Sequence, residues 1–241
     1  MLTQENIHEL NTNGYKLVNN FVSIEEVDEF LKLFDFLEKE VLENHSQTYN
    51  KFTNSKINVT KDNLHKVYNY LGYTKFGKEF IDKILESIKL INSNLSFWQD
   101  KYMAQAPGVP GYSPHQDNYA GDQKKYNFLN FYTVIIALTS ACENTGCLWV
   151  ENGPKRTSDV AFCSSNGCSN YSNRVCHCIH GITPELIKNY KGVSMKPIKV
   201  KSRDTIFMDG NCVHGTAINL GNNTRRSLIL QFKEYNKNEM H

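Results

Sequence analysis

The sequence predicts an α+β fold in which N-terminal helices buttress an antiparallel jelly-roll core. Three observations carry this. Apolar residues recur at helical spacing in two long stretches before Leu95. After Leu95 the chain turns to short runs rich in branched and aromatic residues, separated by Gly, Pro and Asn clusters. Helices first and many short strands afterwards is the order of an α+β chain built around a β-sandwich.

The first helix opens at Ser23, with Glu26 at the capping-box position. Ile24, Val27, Phe30, Leu31, Phe34, Leu37 and Val41 then follow at helical spacing. The stretch from Asn44 to Lys66 is polar and ambiguous. A second amphipathic helix runs from about Lys75 to Asn92, with Phe76, Phe80, Ile81, Ile84, Leu85, Ile88 and Ile91 on one face. Expected strands are Phe97–Gln105, Phe128–Leu138, Cys147–Val150, Val193–Val200, Asp204–Met208, Val213–Asn219 and Arg226–Glu234.

A chain of 241 residues reads as one domain with a sizeable core. Residues 1–95 would form the helical buttress and 96–241 the jelly roll, with a lid at 158–192. The net charge of +2 points to neither nucleic acid nor an anionic membrane surface as a partner. Met1–Asn6 has no basic, apolar leader character, and no run approaches the roughly 18 apolar residues of a membrane span. Seven cysteines in a chain of this size suggest reduced thiols and a cytoplasmic location.

The chemistry concentrates in two distant segments. In Pro114-His115-Gln116-Asp117 the imidazole and the carboxylate share one face of an extended chain. The second segment is Asp209-Gly210-Asn211-Cys212-Val213-His214, with Arg225 eleven positions beyond His214. His115, Asp117 and His214 could occupy one face of an octahedron, the two-His-one-carboxylate set that suits non-haem Fe(II). Arg225 adds a permanently charged fork of the kind that grips a carboxylate. The combination points to an iron enzyme that uses 2-oxoglutarate.

The flanks carry a resemblance. The segment from Asn144-Thr145-Gly146-Cys147-Leu148-Trp149-Val150 to Gly153-Pro154-Lys155 resembles a stretch of the phytanoyl-CoA dioxygenase family. So do Trp98-Gln99-Asp100 to Ala106-Pro107-Gly108 ahead of His115-Gln116-Asp117, and Asn13-Gly14-Tyr15 with Asn19-Asn20-Phe21-Val22-Ser23. The match runs through most of the chain and fails between Ser158 and Val193. It implies a double-stranded β-helix, a small-molecule substrate, and Fe(II), 2-oxoglutarate and O2 as metal, cosubstrate and oxidant.

The resemblance also implies roles. His115, Asp117 and His214 would hold the metal, and Arg225 the distal carboxylate of 2-oxoglutarate, with Ser227 and Thr216 adding hydroxyl contacts. Arg226 is the rival of Arg225, and alternation lets only one of them face inward. Lys101 matches an inward position lining the cosubstrate pocket, where the family more usually has Gln or Met. Ile135 matches an apolar wall. Asn118, Tyr119 and Trp149 would lie near the metal and contact substrate. Related halogenases replace the carboxylate with a small residue, so Asp117 favours hydroxylation or another oxidation. The Asp122–Lys125 run reads as a solvated loop. Cys163, Cys168, Cys176, His177, Cys178 and His180 lack the spacing of a common structural zinc site and read as part of the lid. The competing readings are a non-catalytic binding module and a cosubstrate-independent metal protein of cupin type.

Overall fold

The computed structural model describes residues 1–43, 57–60, 63–119, 128–157 and 182–235. The helices start where the side chains can satisfy open backbone N–H groups. In α1 (Gln4–Asn13), Thr3 and Asn6 form a reciprocal cap, and Gly14 ends the helix in the left-handed region at φ 80°. In α2 (Ile24–Glu43), the Glu26 N–H donates to Ser23 Oγ at 3.1 Å and the Ser23 N–H to Glu26 Oε2 at 2.8 Å. That is the capping box expected from the sequence. In α3 (Lys75–Lys89), Thr74 Oγ1 accepts from the Gly77 N–H.

Eleven strands are present among the described residues. They are β1 (Tyr15–Val18), β2 (Ile57–Thr60), β3 (Asn63–Tyr68), β4 (Ser96–Gln105), β5 (Phe128–Ala137), β6 (Leu148–Glu151), β7 (Asn189–Tyr190), β8 (Val193–Ile198), β9 (Thr205–Asp209), β10 (His214–Thr216) and β11 (Arg225–Tyr235). Seven form one antiparallel sheet in the order β1-β9-β5-β11-β4-β3-β2, and four form a second in the order β10-β6-β8-β7. The two curled sheets make the jelly roll.

Period two assigns each strand's side chains to one of two cores. Tyr102, Val134, Ile136, Phe207, Leu228, Leu230 and Phe232 turn outward and pack with Phe30, Phe34 and Leu37 of α2 and Phe80, Ile84 and Ile88 of α3. The Phe34 ring stacks on Tyr102 with centroids 3.8 Å apart. Ile206 and Met208 turn inward to meet Leu148, Val150 and Ile198 of the second sheet. The helices are therefore an outer layer on the larger sheet, and the space between the sheets is left for a site.

Several elements depart from the sequence reading. The α1 helix has little apolar pattern, because Leu10 is its one buried residue. Part of the ambiguous Asn44–Lys66 stretch forms the β2–β3 hairpin, which extends the large sheet beyond β4. The expected lid divides: 158–181, and with it the Cys163–His180 cluster, lies outside the described residues, as does the Asp122–Lys125 run. Residues 182–192 are packed structure. Thr183 caps a short helix α4 (Pro184–Ile187), Ile187 is fully buried, and Asn189–Tyr190 pairs with β8.

Candidate active site

His115 and His214 meet across an isolated antiparallel bridge. Each donates its backbone N–H to the other's carbonyl at 2.8 Å. The neighbouring glycine is a steric requirement. A Cβ at Gly215 would stand 2.8 Å from the Tyr112 carbonyl and 2.9 Å from the Pro114 nitrogen. Only glycine lets the 112–115 segment lie this close to β10.

The same arrangement fixes the imidazole tautomers. His115 Nδ1 lies 2.7 Å from the Ser113 carbonyl and His214 Nδ1 lies 3.0 Å from the Cys212 carbonyl. A carbonyl only accepts, so each Nδ1 carries a proton and each Nε2 is the ring nitrogen left to offer a metal. Asp117 Oδ1 faces both, 3.6 Å from His115 Nε2 and 3.8 Å from His214 Nε2. Its other oxygen accepts a 2.6 Å hydrogen bond from Thr133 Oγ1 on β5. All three side chains are buried, and one donor atom from each lies within 4.8 Å of the others. Burial alone would push the Asp117 carboxyl up, but His214, His115 and Lys101 nearby and the Thr133 hydroxyl hold it well below the usual carboxylate range. It is ionised throughout the neutral range.

The donor set, the Nδ1 protonation and the oriented carboxylate would fit a divalent metal held by His115, Asp117 and His214. Removing the carboxylate's outer partner tests this. Thr133→Val should weaken Fe(II) affinity by roughly 10–100-fold while leaving the three ligands in place. Metal titration under argon checks it, and unchanged affinity would show that Thr133 does not orient Asp117.

The triad opens on a cavity of about 190 Å³ between the sheets. Lys101, Ile135, Thr216, Arg225 and Ser227 all line it. Arg225 and Ser227 share the inward face of β11 with Ile229 and Gln231, as alternation requires. The Arg225 guanidinium donates to the Gly146 carbonyl, while its buried Nε has no partner, and no carboxylate pairs with it among the described residues. Arg226 turns the other way and pairs with Asp35 at 2.5 Å and Glu38 at 2.8 Å on α2.

The residues expected to touch substrate are placed differently. The Asn118 amide bonds Asn211 Oδ1 at 2.8 Å and braces the Gly210 turn, and it does not line the cavity. Trp149 lies on the opposite face of β6 from Leu148 and Val150, buried with Ile187, Val193 and Met195. The Tyr119 side chain lies outside the described residues.

The structure adds a wall the sequence reading missed, formed by Lys66 and Tyr68 of β3 and by Tyr112. Lys66 Nζ lies over the Tyr112 ring at 4.6 Å. His65 Nδ1 lies 3.0 Å from the Ala104 carbonyl, and Nε2 lies 3.0 Å from Tyr112 Oη. The phenol therefore donates to Nε2. The available signal was the Lys66-Val67-Tyr68 alternation, diluted by the polar residues around it.

Comparison with known proteins gives the same picture. The family described as Phytanoyl-CoA dioxygenase (PhyH) matches residues 10–227. Among curated proteins, no sequence matches. Solved structures similar in fold include the non-haem alpha-ketoglutarate-dependent carbocyclase SnoK from nogalamycin biosynthesis, at TM-score 0.65 and 16% identity over 97% of this chain and 84% of that one. The alpha-ketoglutarate-dependent epimerase SnoN from the same biosynthesis aligns at TM-score 0.64 and 13% identity, covering 98% and 84%. EvdO2 from Micromonospora carbonacea var. aurantiaca, complexed with 2-oxoglutarate, aligns at TM-score 0.65 and 13% identity, covering 97% and 91%.

Proposed function

The chain belongs to the phytanoyl-CoA dioxygenase family, and from that premise we propose an Fe(II)- and 2-oxoglutarate-dependent oxygenase that hydroxylates an unactivated C–H bond of a small molecule. One observation carries the reading. A guanidinium with no carboxylate partner among the described residues, Arg225, faces the same cavity as a preformed His115–Asp117–His214 triad. A metal site alone needs no such cation. A dicarboxylate with one end on the metal does.

Each residue then has a task. His115 and His214 offer Nε2, and Asp117 offers the oxygen that Thr133 leaves free. Arg225 holds the far carboxylate, with Ser227 and Thr216 beside it and Ile135 as an apolar wall. Ile206, Ile229 and Leu148 complete that wall and keep water from the reacting centre. When bound, Fe(II) with 2-oxoglutarate and O2 supplies the oxidising power, and succinate and CO2 leave. Asp117 argues against halogenation, because it fills the position a halide would need.

Protein loaded with Fe(II) should consume O2 and convert 2-oxoglutarate to succinate in equal amounts, and a true substrate should gain one oxygen atom by mass. No succinate under any Fe(II) loading would overturn the reading. Turnover without 2-oxoglutarate that survives Arg225→Ala would favour the cosubstrate-independent alternative.

A further inference from the structure

We propose that the substrate carries an anionic group, a carboxylate or phosphate, and that Lys101 receives it. This rests on the iron and 2-oxoglutarate reading above and goes beyond it to the class of molecule oxidised. The argument begins with charge. In that reading Fe(II) and Arg225 are balanced by Asp117 and the two carboxylates of the cosubstrate. Among the described residues Asp117 is also the only acidic side chain lining the cavity. Apart from Lys66, which lies over the Tyr68 and Tyr112 rings, Lys101 is therefore a positive charge more than the loaded site needs.

Its surroundings offer no other use for that charge. Lys101 lines the cavity, yet among the described residues its amine makes no hydrogen bond and no ion pair. It lies 5.8 Å from the centre of the Tyr68 ring, and Asp117 is the one charge acting favourably on it. Burial pushes the amine's pKa down, so holding the cation here is costly until a counter-charge arrives. Other buried acids are already engaged: Asp209 with Lys155, and Asp100, next to Lys101 in sequence, with the Tyr70 and Leu71 N–H groups.

The register says which ligand meets it. Lys101 pairs with Ile229, and Gln105 pairs with Arg225. The two cations are four ladder positions apart, about 13 Å along the sheet. Thr133, which holds Asp117, pairs with Gln231, the next inward position beyond Ile229. Lys101 thus stands one inward step from the metal end and two from Arg225. The cosubstrate carboxylate at the metal end is neutralised by the metal, and the other by Arg225. What remains beside Lys101 is the space where a substrate must approach the metal.

The experiment uses the full chain loaded anaerobically with Fe(II) and 2-oxoglutarate, read by the absorption band that the chelated pair produces. Acetate is the probe and acetamide its neutral isostere. Acetate should perturb the band saturably and acetamide should not. Lys101→Met should weaken the acetate response by about tenfold or more, the loss expected for one charge-assisted contact. Lys101→Arg should restore it. 2-Oxoglutarate affinity should fall far less in Lys101→Met than in Arg225→Ala, and thermal unfolding establishes that the variants are folded. Equal responses to acetate and acetamide, no acetate response in the parent, or a 2-oxoglutarate loss in Lys101→Met as large as in Arg225→Ala would each overturn the proposal. Absence of the band in the parent would instead overturn the iron and 2-oxoglutarate reading itself.

Discussion

Replacing Asp117 or His115 by Ala is expected to abolish stoichiometric Fe(II) binding, and with it all 2-oxoglutarate turnover, in a protein that still folds. The loss should exceed the roughly 10–100-fold that follows removal of an outer partner such as Thr133, because a ligand itself is gone. Two imidazole nitrogens and one carboxylate oxygen, mutually within 4.8 Å, form the protein contribution to the face among the described residues. With one missing, the remaining pair competes poorly with water. Folding should persist because the main core lies on the other side of the large sheet, where Phe34, Tyr102, Leu228, Leu230 and Phe232 pack with the helices. Asp117→Ala costs a hydrogen bond to Thr133, a loss of about 1–3 kcal/mol. It also removes a buried charge, which offsets part of that. Metal titration and thermal unfolding of the same sample separate the two effects. One tightly held Fe(II) per chain with full turnover in either variant would dismiss the triad.

The triad was legible because it uses the shortest spatial rule in a strand, period two, plus residue types with few other reasons to converge. The capping box at Ser23 and Glu26 was legible for a similar local reason. The misses are non-local. β1 is four residues long and exists by pairing with β9, nearly two hundred positions away. β3 reads as polar because one face lines the cavity with Lys66 and Tyr68 while Val67 joins the core beneath the helices. Its apolar content is too small to announce a strand. Trp149 shows the opposite failure. The resemblance places its segment beside the metal, but the pleat turns Leu148 inward and Trp149 outward. α1 offered Thr3 and Gly14 as end signals around a stretch with too little apolar periodicity to be recognised.

Arg225→Ala should raise the dissociation constant of 2-oxoglutarate by roughly 30- to several-thousand-fold, and Arg226→Ala should change it little. The range corresponds to the about 2–5 kcal/mol lost when one partner of a desolvated charge pair is removed. The two residues are adjacent and chemically identical, so only the pleat distinguishes them. Arg225 shares its face with Ser227 and the cavity, and its Nε is buried without a partner. Leaving such a donor unsatisfied is costly, and an anionic carboxylate is the ligand that relieves it. The Arg226 guanidinium is already paired with Asp35 and Glu38 of α2, although the residue also borders the cavity. Its removal strands two acids at the helix–sheet junction, so its effect should appear as lowered thermal stability. Arg225→Ala should show the converse, a large binding defect with little loss of stability, because no ion pair is broken. Arg225→Lys should recover only part of the affinity, since an ammonium replaces the planar fork with a point charge. Equilibrium titration of 2-oxoglutarate with Fe(II) under argon gives the constants. A large defect in Arg226→Ala with none in Arg225→Ala would mean that the face of β11 assigned to the cosubstrate is the wrong one.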